Sequence, residues 1–177
     1  MACPSLRSPA MSTLLSLFQF KAWSNRALFA CLQEIDASAQ SEALHGMVRM
    51  LNHIYVVDRI FRAHLLGQAH GYSATNTDDT PTLDALQFDV ADTDAWYLDY
   101  VPQLSAAALA EPVRFTFTDG DAGCMTREEM LLHIVTHGAY HRGNVGQMLK
   151  AIGLAPPRDL YTKFLHETQP QRRAGSL

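Results

Sequence analysis

Apolar residues recur at three- and four-residue steps through several stretches of the chain, separated by polar, turn-forming segments. In the first stretch Leu14, Leu17, Phe18, Leu28, Phe29 and Leu32 keep helical spacing, with Lys21 and Asn25 on the same progression. This predicts a helix over residues 13–35, with Ser12 as its N-cap. A second helix is predicted over 42–66, with Met47, Met50, Leu51, Ile54, Val57, Phe61 and Leu65 on one broad face and Gly67 just past its end. His53 lies at the edge of that face. Asp58 falls inside the apolar arc, where it would sit either at the rim of the helix packing, the more ordinary placement, or in a buried ion pair.

From Gln68 to Asp94 the pattern gives way to a polar connection, GYSATNTDDTP, of a length that commonly lies over a site. Thr80 and Pro81 could cap a short helix in it, running through Leu86. Trp96, Tyr97, Leu98, Tyr100, Val101 and Leu104 predict a third helix, which Pro102 kinks or ends. Val113, Phe115 and Phe117 then alternate with polar residues before Asp119-Gly120, the pattern of a small β-hairpin. The fourth helix opens at Thr126, with Glu129 at capping-box spacing, and runs to about Ile152 with Gly153 as terminator. RDLYTKFLHE predicts one last short helix. Residues 1–11 and 167–177 read as a disordered extension and tail around a single domain over 12–166. Four long amphipathic helices with one long crossover make the expected class all-α, a four-helix bundle.

His133, His137 and His141 stand four residues apart on the fourth helix. A step of four turns the helix face by only about 40°, so all three share one stripe. Met130, Ile134, Val145, Met148 and Ile152 occupy the same side, and the histidines therefore point inward. A single inward histidine is ordinarily a core residue bonded to a carbonyl or carboxylate. Three on one apolar stripe, with His53 on another apolar helix, make a costly core unless an ion coordinates some of them, since an unpaired buried polar group costs roughly 1–3 kcal/mol. Gly138, Gly143 and Gly146 cost roughly 1 kcal/mol each inside a helix, which close approach of a neighbouring helix would offset. Arg142 projects away from the histidine stripe and is expected to bridge to a neighbouring helix or subunit.

Length and charge narrow the possibilities. The 177 residues, 47% of them hydrophobic, suit one domain with a substantial core. A formal charge of −4 with scattered basic residues, apart from Arg172 and Arg173, argues against a nucleic-acid partner. No apolar run approaches the roughly 20 residues that cross a bilayer, and MACPSLRSPAMS lacks a signal-peptide stretch, so a cytoplasmic location is expected. Cys3, Cys31 and Cys124 show no metal or redox spacing and read as free thiols, Cys31 in the core and Cys124 accessible. No Ser-His-Asp pattern, phosphate loop or dinucleotide fingerprint suggests other chemistry.

The segments LLSLFQFKAWSNRALFACL, LNHIYVVDRIFRAHLLG and LLHIVTHGAYHRGNVGQMLKAIG together resemble the DinB/YfiT-like family of metal-binding four-helix bundles, over nearly all of residues 12–155. The H-x-x-x-H-R-G core is its specific part. The resemblance implies a divalent ion, zinc or nickel, held by His53 from the second helix and His137 and His141 from the fourth. It gives His133 a place behind the ligands or in the core, and it implies a homodimer. Asn144 departs from relatives that often carry Gln there, without replacing a ligand. Three imidazoles leave a position open on the ion, the arrangement of a catalytic site, at which a water or thiol would be acidified. The implied activity is a metal-dependent hydrolase or a transferase dependent on a low-molecular-weight thiol, acting on a small molecule, with the 68–94 connection shaping the pocket. The alternative is a non-catalytic, stress-related metal-binding protein whose ion stabilises the bundle.

Overall fold

The computed structural model describes residues 13–173. Ser12, the expected extension over 1–11, Cys3 and residues 174–177 lie outside the described residues. The chain is mostly helical, with a small antiparallel hairpin: α1 (Thr13–Gln33), α2 (Ser41–Leu65), α3 (Leu83–Tyr100), α4 (Ala106–Leu109), β1 (Pro112–Thr116), β2 (Ala122–Thr126), α5 (Arg127–Ala151) and α6 (Tyr161–Thr168). The four long helices close a ring, α1 against α3, α3 against α2, α2 against α5 and α5 against α1. Among the described residues no helix is long and apolar enough to cross a membrane.

Two apolar clusters fill the ring. Leu28, Leu32, Met47, Leu51, Leu86, Val145 and Leu149 form one, and Phe18, Phe61, Tyr97, Met130, Leu131 and Ile134 the other. Between them, where each helix passes from one cluster to the next, lies a polar layer. Lys21 Nζ of α1 stands 2.7 Å from Asp58 Oδ2 of α2 and 2.6 Å from Asp94 Oδ1 of α3. All three are buried, Lys21 completely. Asp58 is thus in a buried ion pair and not at a rim. Burial would by itself depress the Lys21 amine, but Asp58 and Asp94 hold it above the ordinary lysine value. Burial pushes the Asp58 carboxyl up to about 6 against the pull of Lys21.

Asp94 also explains the largest departure from the expected elements. The short helix through Leu86 and a separate one from Trp96 are a single helix, α3, capped by Thr82, whose side chain accepts from the Ala85 amide, and not by Thr80. Its buried positions, Leu86, Val90, Thr93, Asp94 and Tyr97, keep helical spacing. Two of them are polar, so the apolar period appears broken exactly where the Lys21 pair restores it. The connection shrinks to residues 66–82 accordingly. Pro102 ends α3 in a 3₁₀ turn over Val101–Gln103.

The hairpin and α5 start as expected. β1 and β2 pair in the register Phe115 to Gly123, with Gly120 at φ +96° in the turn. A Cβ on Gly123 would stand 2.6 Å from the Phe115 ring, so the glycine makes room for that aromatic. Both capping-box bonds are present, the Thr126 amide donating to Glu129 Oε2 at 2.7 Å and the Glu129 amide to Thr126 Oγ1 at 3.2 Å. Arg127 then donates to the Leu65 carbonyl at 2.6 Å and to the Tyr100 hydroxyl at 3.0 Å, tying the ends of α2 and α3 to the start of α5. Residues 167–173, expected in the tail, include the end of α6 and a 3₁₀ turn over Pro170–Arg172.

Replacing Lys21 by Met would leave two carboxylates buried without a counter-charge. A loss of about 3–5 kcal/mol is expected in denaturant unfolding. Combining it with Asp58→Asn and Asp94→Asn should recover most of that loss, because the cost lies in the unpaired charges.

Candidate metal centre

His53 projects from the middle of α2, and His137 and His141 from successive turns of α5, the helix beside it. One ring nitrogen from each of the three lies within 4.8 Å of the others, and this is the one such group of His, Cys, Asp or Glu among the described residues. The rings meet at centroid distances of 5.0 Å for His53 and His137, 4.7 Å for His53 and His141, and 4.5 Å for His137 and His141.

The connection between α2 and α3 orients the first of them. His53 Nδ1 lies 3.0 Å from the Thr75 carbonyl, which can only accept, so Nδ1 carries the proton and the Nε2 lone pair faces inward. Asn52 holds the same segment by donating to Thr77 Oγ1 at 2.7 Å, with Arg49 on the Thr77 carbonyl at 3.2 Å. The connection thus lies over the site, although it is shorter than the sequence suggests.

The remaining nitrogens fit a shared ion. His53 Nε2 and His137 Nε2 are 3.1 Å apart, close to the roughly 3.3 Å separating two nitrogens that share a tetrahedral zinc at about 2.0–2.1 Å. Nδ1 of His137 and Nδ1 of His141 are buried with no hydrogen-bond partner. Burial, with His141 and His53 adding to it, pushes the His137 imidazole down to about 3. Burial and then His53 lower His141 as well. Both rings are therefore neutral near pH 7, the form in which an imidazole lone pair can bind a metal. Three nitrogens and no carboxylate suit a borderline first-row ion.

His133 lies outside the cluster. Its ring stacks on Phe61 at 4.8 Å and on His137 at 5.4 Å, and burial lowers its pKa. Cys31 is half-buried, with its thiol raised by burial and then by Glu34, and Cys124 is exposed on β2; neither joins the histidines. Arg142 turns away from the site into a buried bridge within the chain, donating from Nε to Asp159 Oδ2 at 2.7 Å. Its Nη1 reaches Asn25 Oδ1 at 3.4 Å, and Asn25 in turn donates to Asp94 at 2.8 Å. One of the three α5 glycines, Gly138, has a packing reason. A Cβ on Gly138 would meet Arg142 at 3.2 Å and Ile54 and Lys21 at 3.7 Å, and one on Gly146 would meet Pro156 at 3.5 Å, whereas Gly143 faces open space.

Sequence reasoning missed Thr75, Asp94 and the ionic role of Lys21. Lys21 carried a signal, a charged residue at a core position of an apolar helix; Thr75 acts through its backbone carbonyl and left none.

Residues 11–173 match the family model of the DinB family. Among curated proteins, Protein DinB of Bacillus subtilis (strain 168) is 22% identical over 169 residues, covering 88% of this chain and 95% of that protein. No solved structure gives a significant match.

The depressed His137 pKa has a stability consequence in the metal-free protein. In the unfolded chain this ring takes up a proton near 6.5, and in the fold only near 3. Stability from it is thus complete above about pH 6.5 and is lost progressively as the pH falls toward 3. Chelator-treated protein should become easier to unfold with urea across that window, and His137→Gln should flatten the slope relative to the parent. Equal slopes for the two would show that the ring does not resist protonation.

Proposed function

The chain belongs to the DinB family, and we propose that His53, His137 and His141 hold a divalent metal ion, zinc or nickel, inside a four-helix bundle. What carries this reading is the convergence of three ring nitrogens within 4.8 Å, with one ring oriented from behind by the Thr75 carbonyl. When bound, such an ion supplies Lewis acidity, lowering the pKa of a water or a thiol at its open position.

The chain's own residues prepare for that chemistry. Thr75 fixes the His53 tautomer, and burial keeps His137 and His141 neutral. A cavity of about 350 Å³ opens beside His53 and His137, and among the described residues no Asp or Glu lines it. Without a carboxylate to take a proton from water, a nucleophile that ionises readily is favoured. The proposed activity is therefore a metal-dependent, thiol-dependent transferase acting on a small molecule, ahead of a hydrolase. Neither of the described cysteines, Cys31 and Cys124, is near the histidines, and the thiol of the proposal arrives as a low-molecular-weight cosubstrate. A cytoplasmic location, where such thiols stay reduced, belongs to the proposal. So does a homodimer, for which Leu132 and Tyr140, 40% and 70% exposed on α5, offer apolar surface. The same absence of a carboxylate supports a second reading, a non-catalytic, stress-related protein whose ion only braces α2 against α5.

Metal analysis of purified variants tests the ligand set. His137→Ala should abolish stoichiometric binding, while His133→Ala should retain most of it; the reverse result would make His133 and His137 the pair.

Conjugation of a thiol to an electrophile should require both metal and thiol, and Cys31→Ser and Cys124→Ser should leave it intact. Metal-loaded protein that shows no turnover over a broad panel, yet loses much thermal stability on chelation, would establish the non-catalytic reading. Light scattering at high micromolar concentration should give twice the chain mass, and a monomer would remove the dimer.

A further inference from the structure

The walls of the cavity beside the histidines restrict what can enter it. Val57, Ile60 and Phe61 of α2 form one side, and Phe115, Phe117 and Met125 of the hairpin region the other. Phe61 and Phe115 approach to 6.1 Å, and Phe115 meets Phe117 edge-on at 4.8 Å, so ring faces and edges bound the space. His64 lies against Phe115 at 4.8 Å and His133 against Phe61 at 4.8 Å, presenting imidazole rings as further flat walls. Besides these, only Thr75, Thr118 and the two metal-facing histidines, His53 and His137, are polar among the described lining residues, and no described Lys, Arg, Asp or Glu contributes to the lining.

A charged group lodged among the phenylalanines would lose its hydration without gaining a counter-ion. An uncharged ring would instead meet the faces and edges of the lining aromatic side chains. A void of about 150 Å³ holds a benzene molecule, so about 350 Å³ has room for two fused rings.

We infer that this cavity binds an uncharged, flat aromatic or conjugated molecule of one to two rings, with its single polar atom toward His53 and His137 and its apolar body against the wall formed by Phe61, Phe115 and Phe117. This assigns a substrate class to the proposed metal site and rests on that reading only for the orientation of the polar atom. Charged polar metabolites are excluded from the inner wall.

Fluorescence titration with 2-acetylnaphthalene and with 6-acetyl-2-naphthoate tests the inference. The two share a ring system and a ketone and differ by one carboxylate at the far end. Each is titrated into zinc-loaded and into chelator-treated protein. The uncharged ketone, 2-acetylnaphthalene, should bind at least about a hundredfold more tightly than the carboxylate in both forms, with a larger preference in the zinc-loaded form. Phe117→Asp should weaken the ketone at least about tenfold with an unchanged thermal midpoint, because Phe117 is 45% exposed and its replacement costs the core little. Phe88→Asp, 75% exposed on α3 and outside the cavity, is the control and should leave binding unchanged. Equal affinity for the two probes, no binding of the ketone, or indifference to Phe117→Asp would overturn the inference. A preference for the ketone that zinc does not alter would uphold the apolar cavity while counting against the orientation by the metal, so the two readings fail separately.

Discussion

An ammonium group with no exposure to solvent fixes the level at which the four long helices meet. Lys21 reaches Asp58 and Asp94 on two other helices, and the fourth, α5, approaches through Gly138, where a Cβ would stand 3.2 Å from the Arg142 guanidinium and touch the Lys21 stem. Desolvating three charged groups earns little net stability compared with an apolar core of the same volume. Its effect is on register, because a helix displaced by one turn would strand a charge among the residues of either apolar cluster. His137 precedes Gly138 directly, so the polar layer also sets the height of the histidine site.

The layer continues behind α5. Asn25 passes from Asp94 to Arg142, and Arg142 is clamped by Asp159, which also accepts from Ser24 at 2.7 Å. Arg142 follows His141 directly. The two metal-facing residues of α5 are therefore bracketed, His137 by the close packing at Gly138 and His141 by the anchored guanidinium. On α2 the corresponding restraint comes from outside, where Thr75 and Thr77 hold the connection against His53 and Asn52. Of the three imidazoles, His53 is held directly, and its rotation out of the cluster would break the bond to the Thr75 carbonyl.

Much of this was legible in the spacing of residues. Long apolar periods gave α1, α2 and α5, the Thr126–Glu129 pair gave the start of α5, and the histidine steps placed His137 and His141 on one inward stripe. The failures share one physical origin. Asp58 looks like a rim residue and α3 like two fragments only while Lys21, placed on the apolar progression of α1, is given no counter-charge. Pattern reading assigns charge to the surface, and a residue whose counter-charge lies 73 positions away in the chain supplies no local sign of the pairing. Thr75 is a harder case, since a backbone carbonyl has no residue-type signature at all.

The properties of the site and of the cavity follow from one act of desolvation. The hairpin region and the connection between α2 and α3 cover the side of α2 and α5 that carries His53, His133 and His137. Loss of water depresses the imidazoles, which leaves their lone pairs free at neutral pH, and the same covering residues, Phe115, Phe117 and Met125, are apolar. A covering element of charged residues would have supplied local carboxylates or ammonium groups and altered the ionisation of the rings. An apolar one keeps the nitrogens neutral and lines the adjoining space, so the ring chemistry and the character of the neighbouring cavity are set by the same few side chains.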